Sequence, residues 1–255
     1  MTSINEIYNY LCNLAPLELQ MGFDNSGFQI GRLNKNVERV LLALDVTDDV
    51  VEEAAALGAG LIISHHPLIF TAIKSINGMN PEGARLIKLI ENGISVVSMH
   101  TNLDIAEGGV NDVLITRLGA KAECGLDKEN CGRVGRLAKP MDFESFLHHC
   151  KNVLNTNGIR YYYAGKTVNK LAVMGGAGGD AIEDAYALGC DTYLTSDIKY
   201  HQFLIAKELG INLIDADHFC TENPIIPVLR DILAKAFPET EFIVSKKHKQ
   251  IISFA

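Results

Sequence analysis

The stretch that decides the fold is "VERVLLALDVTDDVVEEAAALGAGLIISHHP", residues 37–67. VLLAL is a near-continuous apolar run of strand length. Thr47 is placed to cap a helix, acidic residues fill its first turn, and Gly58 stands at its end. LIIS is then a second strand. The same order returns in "VNKLAVMGGAGGDAIEDAYALGCDTYLTSDIKYH", residues 168–201, with LAVM as strand, GGAGG as turn, DAIEDAYAL as helix, Gly189 as stop and DTYLTS as the next strand. The repeat extends outward. "ARLIKLIENGISVVSMHTNLD" (84–104) parallels "HQFLIAKELGINLIDADHFCTE" (201–222), and each is an amphipathic helix, a glycine, a short strand and a histidine with a carboxylate four residues on. Internal similarity on this scale predicts two similar α/β/α halves, residues 1–125 and 126–255, with segments open to exchange between them. Alternating strands and helices predict mostly parallel sheets.

The 255 residues allow one large or two modest cores. A hydrophobic fraction of 47% with 21% charged residues is that of a soluble globular protein. No apolar stretch approaches the roughly 18 residues of a membrane span, and the opening MTSINEIYNYLCNLA is not a secretory signal, so a cytoplasmic protein is expected. The net charge of −8 argues against general nucleic-acid binding. The basic run KKHK at 246–249 reads as solvated surface, His248 included. The six cysteines form no CxxC pair and read as reduced thiols, mostly core fillers, with Cys220 open to another role. GGAGGD lacks the spacing of a dinucleotide loop and reads as a tight strand-to-helix turn.

Chemistry-bearing residues collect where ligands collect in open α/β folds, at the carboxyl ends of strands. His65 and His66 follow LIIS, His100 and Asp104 follow ISVVSM, Asp197 and His201 follow TYLTS, and Asp217, His218 and Glu222 follow NLIDA. Neighbouring residues of a strand face opposite sides, so His65 and His66 serve one purpose only if the strand has ended, as Pro67 indicates. Five of the eight histidines lie at such exits. His148 and His149 fall off the apolar stripe of their helix and read as surface. Imidazoles and carboxylates without thiolate suit Zn, Fe, Mn, Co or Ni as divalent ions. Asp104 and Glu222 are short carboxylates able to bridge two ions. Two ions with a bridging water or hydroxide would serve hydrolysis, leaving His100 and His201 for acid–base work.

SHHPLIF, MHTNLDIAEGGVNDVL, TSDIKYH and DHFCTE, with FDNSGFQIG upstream, resemble the dinuclear metal-centre hexameric protein family, also called Nif3-like, YbgI-like or GTP cyclohydrolase I type 2 homologues. The resemblance covers nearly the whole chain, in the short form without a middle insertion. It implies the Nif3-like fold, a toroidal homohexamer, two divalent metal ions per subunit, and His65, His66, Asp104, His218 and Glu222 as their ligands. Phe23, Ser196 and Asp217 stand where tryptophan, glycine and glycine are common in the family, and Asp217 is read as facing solvent. The name implies opening of the GTP ring, although no nucleotide pocket or Walker lysine is legible. Two functions stay open: a metal-dependent hydrolase acting on a small molecule, with nucleotides among the candidates, or a non-enzymatic metallochaperone or regulatory scaffold.

Overall fold

In a computed structural model, which describes residues 2–254, the chain divides into two compact units. The first comprises residues 1–106 and 226–249; the second comprises 107–225 and 250–255. The sequence repeat places the junction near residue 125, whereas the units divide at 106/107. Residues 110–125 belong to the second unit because Leu114 and Ile115 of the helix Val110–Arg117 enter its core and the strand Ala120–Gly125 pairs with Arg133–Met141; a later segment, in turn, returns to the first unit. The helix Ile225–Ala236 is followed by the strand Glu241–Val244, which adds to the first unit's sheet by pairing in parallel with Arg39–Ala43.

The first unit holds a five-stranded sheet in the order Glu241–Val244, Arg39–Ala43, Leu61–Ser64, Ser95–Ser98, Gly27–Ile30. Its pairings are parallel except at Gly27–Ile30, which runs antiparallel to Ser95–Ser98. Every residue of Leu61–Ser64 and Ser95–Ser98 is buried, which is why LIIS and SVVS read as unbroken runs rather than alternating ones. The caps fall where the sequence places them. Thr47 accepts from Val50 N at 3.3 Å, Asp48 and Asp49 fill the first turn of Asp48–Leu57, and Gly58 ends it at φ 66°. Leu41, Ile62, Val96, Val50, Leu86 and Leu89 form the core between sheet and helices.

The second unit's six-stranded sheet runs Ala120–Gly125, Arg133–Met141, Val168–Val173, Thr192–Thr195, Asn212–Asp215, Arg160–Tyr162. Only its three central strands pair in parallel, and the flanking strands are antiparallel. The expectation of mostly parallel sheets therefore holds for the first unit and for the centre of the second. The two added antiparallel strands, Ala120–Gly125 and Arg133–Met141, mix buried with exposed residues, and Leu114 and Ile115 of the helix Val110–Arg117 pack in one cluster with Ala120 and Leu137. The helix after GGAGG is short, Ile182–Ala187, preceded by a 3₁₀ turn at Gly179–Ala181 and followed by Gly189 at φ 71°.

One ion pair braces the second unit. Arg133 donates to Asp112 through Nε at 2.7 Å and Nη2 at 3.0 Å, and through Nη1 to the carbonyls of Asn130 and Gly132. Asp112→Ala leaves that guanidinium buried without its carboxylate and is expected to cost about 3 kcal/mol. Chemical denaturation would check this, and a loss under 1 kcal/mol would refute it. Among the described residues the six cysteines form no disulfide. Burial pushes the Cys150 thiol far up and those of Cys190 and Cys220 up to about 11, so these three are inert core residues. Among the described residues, no helix is long and apolar enough to cross a membrane.

Candidate metal centre

In the first unit, the ends of two adjacent parallel strands bring three histidines together. Past Ser64 and Ser98 the ladder continues for one step, with Met99 N donating to Ser64 O at 2.9 Å, and His66 N donates to Leu44 O at 2.9 Å. The chain then turns, so the His65 and His66 rings lie on one side with centroids 5.1 Å apart instead of on opposite faces. His100 joins them at 5.2 Å and 5.6 Å. One ring nitrogen from each of the three lies within 4.8 Å of the others, a group that could hold a metal ion. Asp104, on the short helix Thr101–Ile105, brings Oδ1 to 3.6 Å from His65 Nε2.

Each ring is held from behind through Nδ1. His65 Nδ1 meets the Met99 carbonyl at 2.8 Å. His66 Nδ1 meets Asp45 Oδ1 at 2.7 Å, and His100 Nδ1 meets Asp24 Oδ1 at 2.7 Å. An acceptor at Nδ1 sets the tautomer with hydrogen on Nδ1 and the lone pair on Nε2, the arrangement that orients a metal-ligating imidazole. Asp24 also accepts from Thr101 N at 3.0 Å, Thr101 Oγ1 at 2.5 Å and Ser26 Oγ at 2.7 Å. Burial alone would raise its pKa, but the donors His100, Thr101 and Ser26 outweigh that and hold its carboxyl well below the usual range. Asp45 behaves alike: burial opposes ionisation, and hydrogen bonds from His248 and His66 overcome it.

The second unit repeats the device with a difference. His218 Nδ1 meets Asp197 Oδ2 at 2.7 Å, and its Nε2 lies 3.0 Å from Glu222 Oε2 one helical turn on, within the helix His218–Glu222. Burial disfavours the imidazolium, but Glu222 and then Asp197 prevail and carry the ring up to about 9. Glu222 packs on the glycine turn, where a Cβ at Gly176 would lie 2.1 Å from Glu222 Oε1 and 3.2 Å from His218 Nε2. In the first unit the matching pair is split, because His100 turns to Asp24 while Asp104 faces His65.

Two expectations need correction. Asp217 does not face solvent. It is buried at φ 75°, caps the His218 helix by accepting from Cys220 N at 3.1 Å, and bonds Gln250 Nε2. His248 is not a surface residue, since its side chain is 6% exposed and its Nε2 lies 3.1 Å from Asp45 Oδ2. His201 is exposed in the first turn of Tyr200–Leu209 and makes no side-chain hydrogen bond among the described residues; from its motif, Asp197 reaches His218 instead. His148 is exposed and His149 half-exposed, as expected. Asp24, Asp45 and His248 escaped the sequence reading. Asp45 directly follows VLLAL, so the strand-end rule would have found it.

Fold and site define a two-unit mixed α/β protein whose strand ends carry histidine and carboxylate groups able to hold metal ions. The comparisons agree on its kind. The model of the Duf34/NIF3 (NGG1p interacting factor 3) family matches residues 2–251, and the chain belongs to that family. A Clostridium perfringens protein named GTP cyclohydrolase 1 type 2 homolog is 38% identical, over 98% of this chain and 99% of that one. A Helicobacter pylori protein named GTP cyclohydrolase 1 type 2 is 31% identical, over 91% and 92%. Among solved structures, a Bacillus cereus protein related to NIF3 superposes with a TM-score of 0.90 at 26% identity, covering 100% of this chain and 99% of its own.

Proposed function

We propose that the chain is a dinuclear divalent-metal hydrolase of small molecules, with nucleotides the first class to test. By the resemblance, the ligands would be His65, His66 and Asp104 of the first unit and His218 and Glu222 of the second. The observation that carries this reading is the set of Nδ1 anchors. His65, His66 and His218 each have Nδ1 bound to a carbonyl or carboxylate, so each is set to ligate through Nε2. The donors are nitrogen and oxygen without thiolate, which fits Zn, Fe, Mn, Co or Ni. Such ions, when bound, would polarise an electrophile and acidify water.

The chain's own groups supply the rest. His100, held at Nδ1 by Asp24, would move protons at Nε2 beside the His65 and His66 rings. His201, exposed in the first turn of Tyr200–Leu209, would be the second acid–base group. The names of the Clostridium and Helicobacter relatives make GTP the first substrate to assay. A homohexamer, expected from the resemblance, belongs to the same proposal.

Elemental analysis of protein purified without chelator tests it. About two divalent ions per subunit are expected, fewer in His65→Ala and in Glu222→Ala. No stoichiometric metal, even after reloading, would refute the dinuclear reading. Full loading with no turnover of GTP or phosphoesters would instead favour the metallochaperone or scaffold.

A further inference from the structure

The KKHK run is not an ordinary basic surface. The strand Glu241–Val244 pairs in parallel with Arg39–Ala43, so it leaves the sheet at the same end as Asp45 and His66. Ser245 N continues the ladder to Leu42 O at 2.8 Å. The chain then closes a tight turn on the Ser245 hydroxyl, which accepts from Lys247 N at 3.2 Å and His248 N at 3.1 Å. Glu53, on the helix Asp48–Leu57, pins this turn by accepting from Lys246 N at 3.0 Å and Lys247 N at 3.3 Å and by bonding Ser245 Oγ. Lys246, Lys247 and Lys249 are exposed while the imidazole between them turns inward.

That imidazole has a set orientation. Its Nδ1 accepts from Leu44 N at 3.5 Å, which leaves the hydrogen on Nε2, and Nε2 donates to Asp45 Oδ2 at 3.1 Å. Asp45 accepts from His66 Nδ1 through its other oxygen at 2.7 Å. One carboxylate thus stands between two imidazoles, with one oxygen for each. Asp45 is 43% exposed in its side chain, so without a second donor the carboxylate could rotate into solvent and release the His66 ring.

We propose that His248 is a positioning residue for His66, fixing through Asp45 the ring orientation and tautomer with which His66 meets a divalent cation. The proposal rests on the metal reading above. It concerns this chain's own tail, whose turn at Ser245 and Glu53 exists to present one imidazole to a carboxylate.

Cobalt(II) titration of the chelator-treated full chain, followed by its visible ligand-field band, is the test, with imidazole nitrogen NMR on the metal-free protein beside it. His248→Ala is expected to weaken cobalt binding by about tenfold or more and to alter the band. His248→Gln keeps an amide donor at the position of Nε2 and should restore most of both. On an Asp45→Ala background, His248→Ala should add nothing. In the metal-free protein, His66 should hold its hydrogen on Nδ1 in the wild type and become a tautomer mixture in His248→Ala. Wild-type affinity in His248→Ala, no rescue by glutamine, or full additivity with Asp45→Ala would each overturn the proposal. If the wild type takes up no cobalt, the metal reading fails by itself, and an unchanged His66 tautomer in His248→Ala then overturns the positioning role separately.

Discussion

Gly176→Ala is expected to lower divalent-metal affinity by about a hundredfold while leaving the protein folded. Two effects combine. The residue sits at φ 67°, where a Cβ adds strain of about 1–2 kcal/mol. The new methyl would also lie 2.1 Å from Glu222 Oε1, so the carboxylate must move. The turn cannot retreat instead, because its backbone is tied on both sides. Gly176 N donates to Thr221 Oγ1 at 3.1 Å, and Gly176 O accepts from Ser196 N at 3.0 Å and Thr195 Oγ1 at 3.0 Å. Glu222 therefore yields, and the 3.0 Å approach to His218 is lost with it. Isothermal titration with zinc or cobalt, beside a melting curve of the metal-free protein, separates the effects. Unchanged affinity with a lowered Tm would show that Glu222 is no ligand.

The second large effect is in pH. A cation must displace the proton that Glu222 and Asp197 stabilise on His218 against the cost of burial, up to about 9. Below that value, each pH unit is expected to reduce apparent affinity about tenfold, or about a hundredfold between pH 9 and pH 7. Asp197→Asn should lower the break point and so shrink the change in affinity between pH 7 and pH 9. The metal-free protein shows the opposite sign. A histidine whose folded-state pKa is raised stabilises the fold fully below its ordinary pKa of 6.5, and the contribution is lost as pH climbs through about 9. Chelated protein should therefore melt lower at pH 10 than at pH 6.5, with less of that loss in Asp197→Asn. Metal affinity that is flat between pH 7 and pH 9 would contradict the assignment of His218 as a ligand.

Much of this is legible in the sequence, for reasons that can be stated residue by residue. Parallel strands buried on both faces announce themselves as LIIS and SVVS, and the caps Thr47, Gly58 and Gly189 obey local rules. The histidines at strand ends follow from the position of those ends. What sequence could not reach are contacts between segments far apart in the chain. Asp24 finds His100 across 76 positions, and His248 finds Asp45 across 203. No spacing rule encodes such pairs. Asp217 shows another limit. A carboxylate at positive φ reads as an exposed turn until the helix it caps is seen. GGAGG reads as a turn from sequence, but that Gly176 lies against Glu222, where a Cβ would meet Oε1 at 2.1 Å, shows only in the structure.

The edge strand Glu241–Val244 also bears on how the molecule is made. The second unit is written almost continuously, from residue 107 to 225, whereas the first needs a strand and a helix encoded after it. Without Glu241–Val244 the first sheet is incomplete: Arg39–Ala43 is left as an open edge until a strand more than 130 residues beyond residue 106 pairs with it. The segment that closes this edge is also the one that carries His248 to the carboxylate behind His66, so completion of the sheet and placement of that imidazole are one event.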